Sequence, residues 1–431
     1  MFELPDAAAL ADVNDVDVDE FPRFAPVRYE RDQPTVGDVE ATTADAVGAI
    51  DGLDDLAPGA RVGITAGSRG IHDMPEVLRT IVATLDERGF DPFVFPAMGS
   101  HGGATAEGQR ETLEALGITE ASLGCEIVSS MDVEQVGTDD DGRPVFAARD
   151  ALAADAVVLA NRVKLHTDFR GAIESGLCKI AVIGIGKQRG ADVTHKAALA
   201  GNFEEVLQER AAILFEETPV VGGVGVVENA NERAAVIEGI DVEEILDREP
   251  ELLDRSEELI GTLPIDHLDL LVLDEIGKDI SGSGMDTNVV GRMLMHGEPE
   301  PDTPQYDRIY ARSVTPASHG NSIGLGLADF VHRDLVEAFE PTDTYLNAIT
   351  GGEPARARVP PVMPSDEVAL TAAYSTVGVR DPADMRIARV ENTLDLDRFA
   401  VSEPLIDELE GVEGVSIGEP EPLAFEDGDF V

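Results

Sequence analysis

The feature that most constrains the fold is a repeated order of three parts. A short apolar run passes straight into a polar, glycine-rich loop, which passes into a helical stretch. Arg61–Thr65 (RVGIT) leads through AGSRGIHDMP to PEVLRTIVATLDERG, with Pro75 in the first turn. FVFPA leads through MGSHGGAT to AEGQRETLEALG, closed by Gly117. DAVVLANRV then runs into KLHTD. Strands alternating with helices in this way predict parallel βαβ units. Ligands of such sheets sit outside the carboxyl ends of the strands. Gly67-Ser68-Arg69-Gly70, Gly99-Ser100-His101-Gly102-Gly103 and Lys164-Leu165-His166 are therefore expected to converge on one edge.

The rest of the chain fits a two-domain α/β plan. Residues 1–40 are acidic and interrupted by proline, and read as an arm with one short strand; 41–56 has helical spacing. FEEVLQERAAILFEE reads as a helix and VVGGVGVVENA as a strand. Residues 241–262 read as an acidic helical connector or the first helix of a second domain. LDLLVLDEI is a strand delivering the loop GKDISGSGMDTNVVGR; 353–366 is a proline-rich loop, followed by a helix (EVALTAAYSTVG) and a strand (RIARVEN). The expected division is an N-terminal parallel, Rossmann-like domain over 1–248 and a second α/β domain over 249–431, with the site in the cleft between them.

Acidic residues outnumber basic ones 85 to 32, for a formal charge of −53 over 431 residues. The excess is spread along the chain, and it suits a protein adapted to high salt, where the Debye length shrinks to roughly 3 Å. In dilute buffer the same charge is expected to destabilise the fold. A nucleic-acid footprint is excluded on charge. Two cysteines exclude a disulfide framework and an iron–sulfur site built from one chain's own cysteines. The N-terminus lacks a basic region and an apolar core, and no run is long enough to span a bilayer, so a soluble cytoplasmic protein is expected.

Five lysines remain in the chain, and Lys164, Lys179, Lys187 and Lys196 fall within one 33-residue stretch, KLHTDFRGAIESGLCKIAVIGIGKQRGADVTHK. His166, His195 and Cys178 lie there too. The apolar flanks of Lys179 predict a buried lysine, costly unless paired or used. Asp168 is placed to orient an imidazole, while Cys178 reads as a small buried residue. His101, between glycines, suits proton transfer. Arg69 suits a fork onto a carboxylate. Lys278 stands in a loop where Asp286, Asn288 and Arg292 would meet a polar ligand, or where Asx turns merely brace a connection. His101, His166 and His195 also permit a zinc reading, although their spacing is not that of a compact zinc motif. GIGKQ lacks the Ser/Thr and spacing of a phosphate loop, and GGVGVVENA is no dinucleotide fingerprint; both read as packing or turn sequence. His72 reads as structural; His296, His319 and His332 are unassigned.

With these residues in place, roughly residues 58–200 resemble the nickel-dependent lactate racemase family. AGSRGIHDMP resembles its strand–loop element with a substrate-binding arginine, MGSHGGAT its Gly-x-His element, and His166, Gly176, Lys179 and His195 its His…Gly…Lys…His series. The resemblance implies a nickel-pincer nucleotide derived from nicotinic acid and tethered through Lys179, with His195 as the protein ligand to nickel. It implies His101 and His166 as the acid/base pair and Arg69 on the substrate carboxylate, with Lys278 a further candidate contact. The implied reaction is racemisation or epimerisation of a 2-hydroxy acid by hydride transfer, and transient cofactor-maturation proteins are its implied partners. The chain departs from the family at Gly67 and Ser68, and in the longer run DFRGAIESGLC. There Arg170 is a candidate for a second carboxylate or a larger hydroxy acid. A zinc metalloenzyme and a non-catalytic cofactor- or ligand-binding relative are the alternatives.

Overall fold

The computed structural model describes residues 9–10, 13–68, 70–199 and 201–431. The chain forms two compact units, Gln33–Ile260 and Met1–Asp32 with Gly261–Val431. Both are built on mixed, mainly parallel sheets with helices, so the expected two-domain α/β class is observed. Among the described residues no helix is long and apolar enough to cross a membrane.

In the Gln33–Ile260 unit a six-stranded sheet runs in the order Glu126–Ile127, Asp91–Pro96, Arg61–Ala66, Ala156–Arg162, Val220–Glu228, Ala234–Asp241. The first five are parallel and the last pairs antiparallel. Side chains alternate faces along a strand, and here both faces are covered. Ala156, Val158 and Ala160 join one core with Val77, Leu78, Ile81 and Leu85 of helix Met74–Glu87. Val157 and Leu159 join the other, with Leu177, Leu207 and Leu214. That double burial is why these strands read as unbroken apolar runs.

One antiparallel hairpin, Val133–Thr138 with Pro144–Ala148, was not expected. Its sequence carries the acidic run Asp139–Asp141, which masks the period of its short strands.

The other unit holds an eight-stranded sheet. Its parallel part runs Val362–Met363, Phe330–His332, Gln305–Val314, His267–Ile276, Ile387–Val390. The arm strand Phe24–Tyr29 lies antiparallel between Arg398–Ser402 and Val415–Ile417. This pairing explains why residues 1–32 belong with the C-terminal part rather than with a 1–248 domain. The other boundary falls at Ile260 rather than 248. Helix Ile245–Leu259 buries Ile245, Leu252, Leu253 and Leu259 in the core of the Gln33–Ile260 unit. It is neither a connector nor the start of the second domain.

Candidate active site

Strands Asp91–Pro96, Arg61–Ala66 and Ala156–Arg162 are adjacent and parallel, so their following loops leave one edge together, as expected. The first two loops meet: Ser68 Oγ contacts His101 Nδ1. His101 itself is exposed. Its loop turns through Gly99 at φ +58° and Gly102 at φ +64°. A Cβ on Gly102 would lie 2.5 Å from the backbone of Gly108 and Gln109, so only glycine allows this approach. Arg69 lies outside the described residues.

The third loop is organised around a buried carboxylate. Glu174, 1 % exposed in its side chain, accepts the backbone N–H of His166 and, at 3.1 Å, that of Gly171. Burial raises the Glu174 carboxyl to about 7, against the pull of the His166 N–H, Arg170 and the Gly171 N–H. Arg170 bonds the carbonyls of His166 at 2.5 Å and Phe169 at 3.1 Å and lies 3.8 Å from Glu174. The guanidinium thus takes part in closing its own loop.

His166 is 14 % exposed in its side chain. Its Nδ1 accepts the Asp168 N–H at 3.0 Å, which leaves the proton of the neutral ring on Nε2. The ring stacks on Phe169 at 4.5 Å, Phe169 on Phe203 at 4.4 Å, and His195 tilts against Phe203 at 5.8 Å. Burial first, and then the Lys179 charge, hold the His166 imidazole well below its usual range, with Asp168 opposing. The same two causes lower His195, with Asp168 and Asp192 opposing. Both rings are therefore biased to the neutral form, which a metal ligand or a general base requires.

Lys179 sits in the first turn of a helical path from Leu177 to Ala198, which includes a π-helical stretch at Ile180–Ile185. Such stretches frequently occur at functional sites. Its neighbours Leu177, Cys178 and Ile180 are buried, but Lys179 is only half-buried. The fully buried lysine is Lys187, in the GIGKQ segment read from sequence as packing. The register explains the difference: the apolar flanks face the core and the Lys179 side chain leaves it.

The start of this path is held from below. Asn161 Nδ2 donates to Gly176 O at 2.8 Å, and buried Glu249 accepts the Cys178 N–H at 2.8 Å. A Cβ at position 176 would lie 2.2 Å from Glu249 Oε1, so glycine is required. That oxygen has no hydrogen-bond partner among the described residues. Burial raises Glu249 to about 7 from 4.5, opposed by the N–H groups of Cys178 and Leu177 and by the Cys178 thiol. The folded chain therefore binds this proton more tightly than the unfolded one. The associated stability is fully present below about 4.5 and is lost as pH rises through about 7, amounting to up to roughly 3 kcal/mol. Glu249→Gln removes this loss. Its melting temperature should gain on that of the native protein as pH is raised from about 5 to about 8; a pH-independent difference would show that Glu249 does not titrate there.

His195 rides on helix Lys187–Ala198. The preceding residue, Thr194, is 3.4 Å from buried Arg210, which pairs with buried Asp139 at 2.6 Å.

Lys278 lies in the other unit, its Nζ bonded to Gly282 O at 2.7 Å and 3.4 Å from Asn347 Oδ1. Asp286 and Asn288 form an Asx turn, and Arg292 pairs with Asp329 at 2.7 Å. Those three brace the connection, as the plainer reading of the loop had it. His72 pairs with Asp73 at 2.8 Å and Arg233 at 2.7 Å, a structural role. Among the described residues, the groups with ligand atoms within 4.8 Å of one another are His267/Asp269/Asp307 and His332/Asp366/Asp429. Neither includes His101, His166 or His195, so the geometry does not favour a three-histidine zinc centre. Glu249 and Gln109 escaped the sequence reading, which singled out Ser68 and Glu174 only as departures from the family pattern. For Glu174 the signal available was the apolar Ile173 before it; Glu249 lies in the charged run LDREPELLD and offered none.

No family model matches the sequence, and no curated protein does. The structure is similar to that of the lactate racemase apoprotein from Thermoanaerobacterium thermosaccharolyticum, with a TM-score of 0.50 and 13 % sequence identity over 89 % of this chain and 96 % of that one. At that identity the likeness is one of fold, and its partner in the likeness is an enzyme apoprotein.

Proposed function

We propose that this chain is a racemase or epimerase of a 2-hydroxy acid, working with a nickel-pincer nucleotide tethered to Lys179. The observation that carries this reading is the aromatic column linking His166 to His195 through Phe169 and Phe203, on the loop and helix that follow a strand of the parallel sheet and that also carry Lys179. The residues fit the group. Lys179, half-buried at the start of the helical path, would form the tether, and His195 offers one neutral nitrogen donor. A single protein donor suffices where the cofactor brings the others. When bound, the cofactor supplies the hydride acceptor.

The chain supplies the proton chemistry. In the tautomer whose Nδ1 accepts the Asp168 N–H, neutral His166 carries its hydrogen on Nε2, where it would hydrogen-bond a substrate oxygen. When Ser68 accepts from His101 Nδ1, His101 Nε2 is left as a proton acceptor. Each imidazole would accept the hydroxyl proton of one enantiomer and, as imidazolium, return it when the carbonyl is reduced; for His166 this requires the tautomer with its ring proton on Nδ1. Phe169 and Phe203 exclude water from the inner side of His166. Arg69 is proposed to hold the substrate carboxylate. The direct test is the mass of the Lys179 peptide from protein purified from its native host, with nickel measured on the same sample.

A further inference from the structure

The reaction sketched above does not use the most deeply buried cation near the site. Lys187 is fully buried where the π-helical stretch meets helix Lys187–Ala198, and its backbone sits at φ +52°, a region that side chains other than glycine rarely adopt. Its Nζ lies 2.5 Å from Pro96 O, at the end of the strand that delivers His101, and 3.1 Å from Gln109 Oε1. Gln109 is also buried; its Nε2 donates to Gly99 O at 2.9 Å and His101 O at 3.3 Å. The lysine, the glutamine, one carbonyl at the strand end and two of the following loop thus form a continuous network. Burial holds the Lys187 amine down at about 8, with Asp150 opposing.

A buried lysine is retained only where it is paired or used. Here both hydrogen bonds of the amine lead to the strand end and the amide that flank the His101 loop. Gln109 cannot be reversed without cost, because its oxygen faces the ammonium and its amide hydrogens face the carbonyls. The lysine therefore fixes the amide, and the amide fixes the loop. We infer that Lys187 is a positioning residue: through Gln109 it sets the loop that presents the His101 imidazole to the substrate. The inference rests on the acid/base reading of His101 for its functional half.

Two variants of the full chain separate positioning from folding. Lys187→Met removes the cation. Gln109→Glu keeps both the size and the acceptor for Lys187, but loses the donors to Gly99 and His101. The first readout needs no cofactor: the His101 resonance in protein labelled at histidine Cε1, identified by its loss in His101→Gln. The second is kcat and KM of the loaded enzyme. In both variants the His101 resonance should move. Turnover should fall by about 10²-fold with little change in KM. If Lys187→Met does not fold, Gln109→Glu decides alone. An unchanged His101 resonance in Gln109→Glu, or activity falling only in proportion to the unfolded fraction, would overturn the inference. A moved resonance in a protein whose native form shows no racemisation would uphold the positioning and remove the acid/base role.

Discussion

Replacing His166 or His101 with alanine is expected to lower turnover by about 10²- to 10⁴-fold, the usual contribution of a general acid or base. The two substitutions differ in their structural cost. His101 is exposed, so His101→Ala should cost little stability. His166 stacks on Phe169 and accepts the Asp168 N–H, so His166→Ala also opens a gap in the aromatic column. His166→Phe preserves the stack while removing both nitrogens, and should be as inactive as the alanine variant. The check is racemisation of a single enantiomer by loaded enzyme, with circular dichroism to confirm folding. Native-like turnover in any of the three would remove the acid/base assignment.

The largest stability effect is expected at Arg210. Its side chain and that of Asp139 are 1 % and 2 % exposed, at 2.6 Å separation. Burial pushes the Asp139 carboxyl up, but the Arg143 N–H and the Arg210 guanidinium outweigh it and hold the group below its usual range. Arg210→Met strands that carboxylate in the core and should cost about 3–5 kcal/mol in denaturant unfolding in high salt. The pair replacement Arg210→Met with Asp139→Leu should recover most of the loss, because an apolar pair of similar volume carries no desolvation penalty. Arg210 also lies 3.2 Å from Pro144 O and 3.4 Å from Thr194 Oγ1, tying the hairpin to the helix that bears His195. A loss below about 1 kcal/mol in the single variant would place the pair among weak, solvated bridges.

The strand–loop–helix order predicted the parallel sheet because its signals are local: doubly buried strands, Pro75 at a helix start and Gly117 after a helix end. It also placed His101 and His166 on one sheet edge, since that follows from strand direction alone. What escaped depends on partners distant in sequence. The arm strand pairs with segments near residue 400, the acidic helix 245–259 folds back onto Gly176, and Lys187 reaches Pro96 and Gln109. No window of sequence contains those pairs. Lysine depletion did point to the right stretch, but helical register decided that Lys187 is buried and Lys179 only half-buried.

The most direct measurement is intact-mass and peptide mass spectrometry of protein purified from its native host in high salt, with metal analysis on the same sample. The account predicts a nickel-containing adduct on the peptide bearing Lys179, lost in Lys179→Ala and released from metal in His195→Ala. An unmodified Lys179 in protein from cells that make the cofactor would contradict it. Zinc in that protein would then favour a metalloenzyme, and its absence a ligand-binding relative.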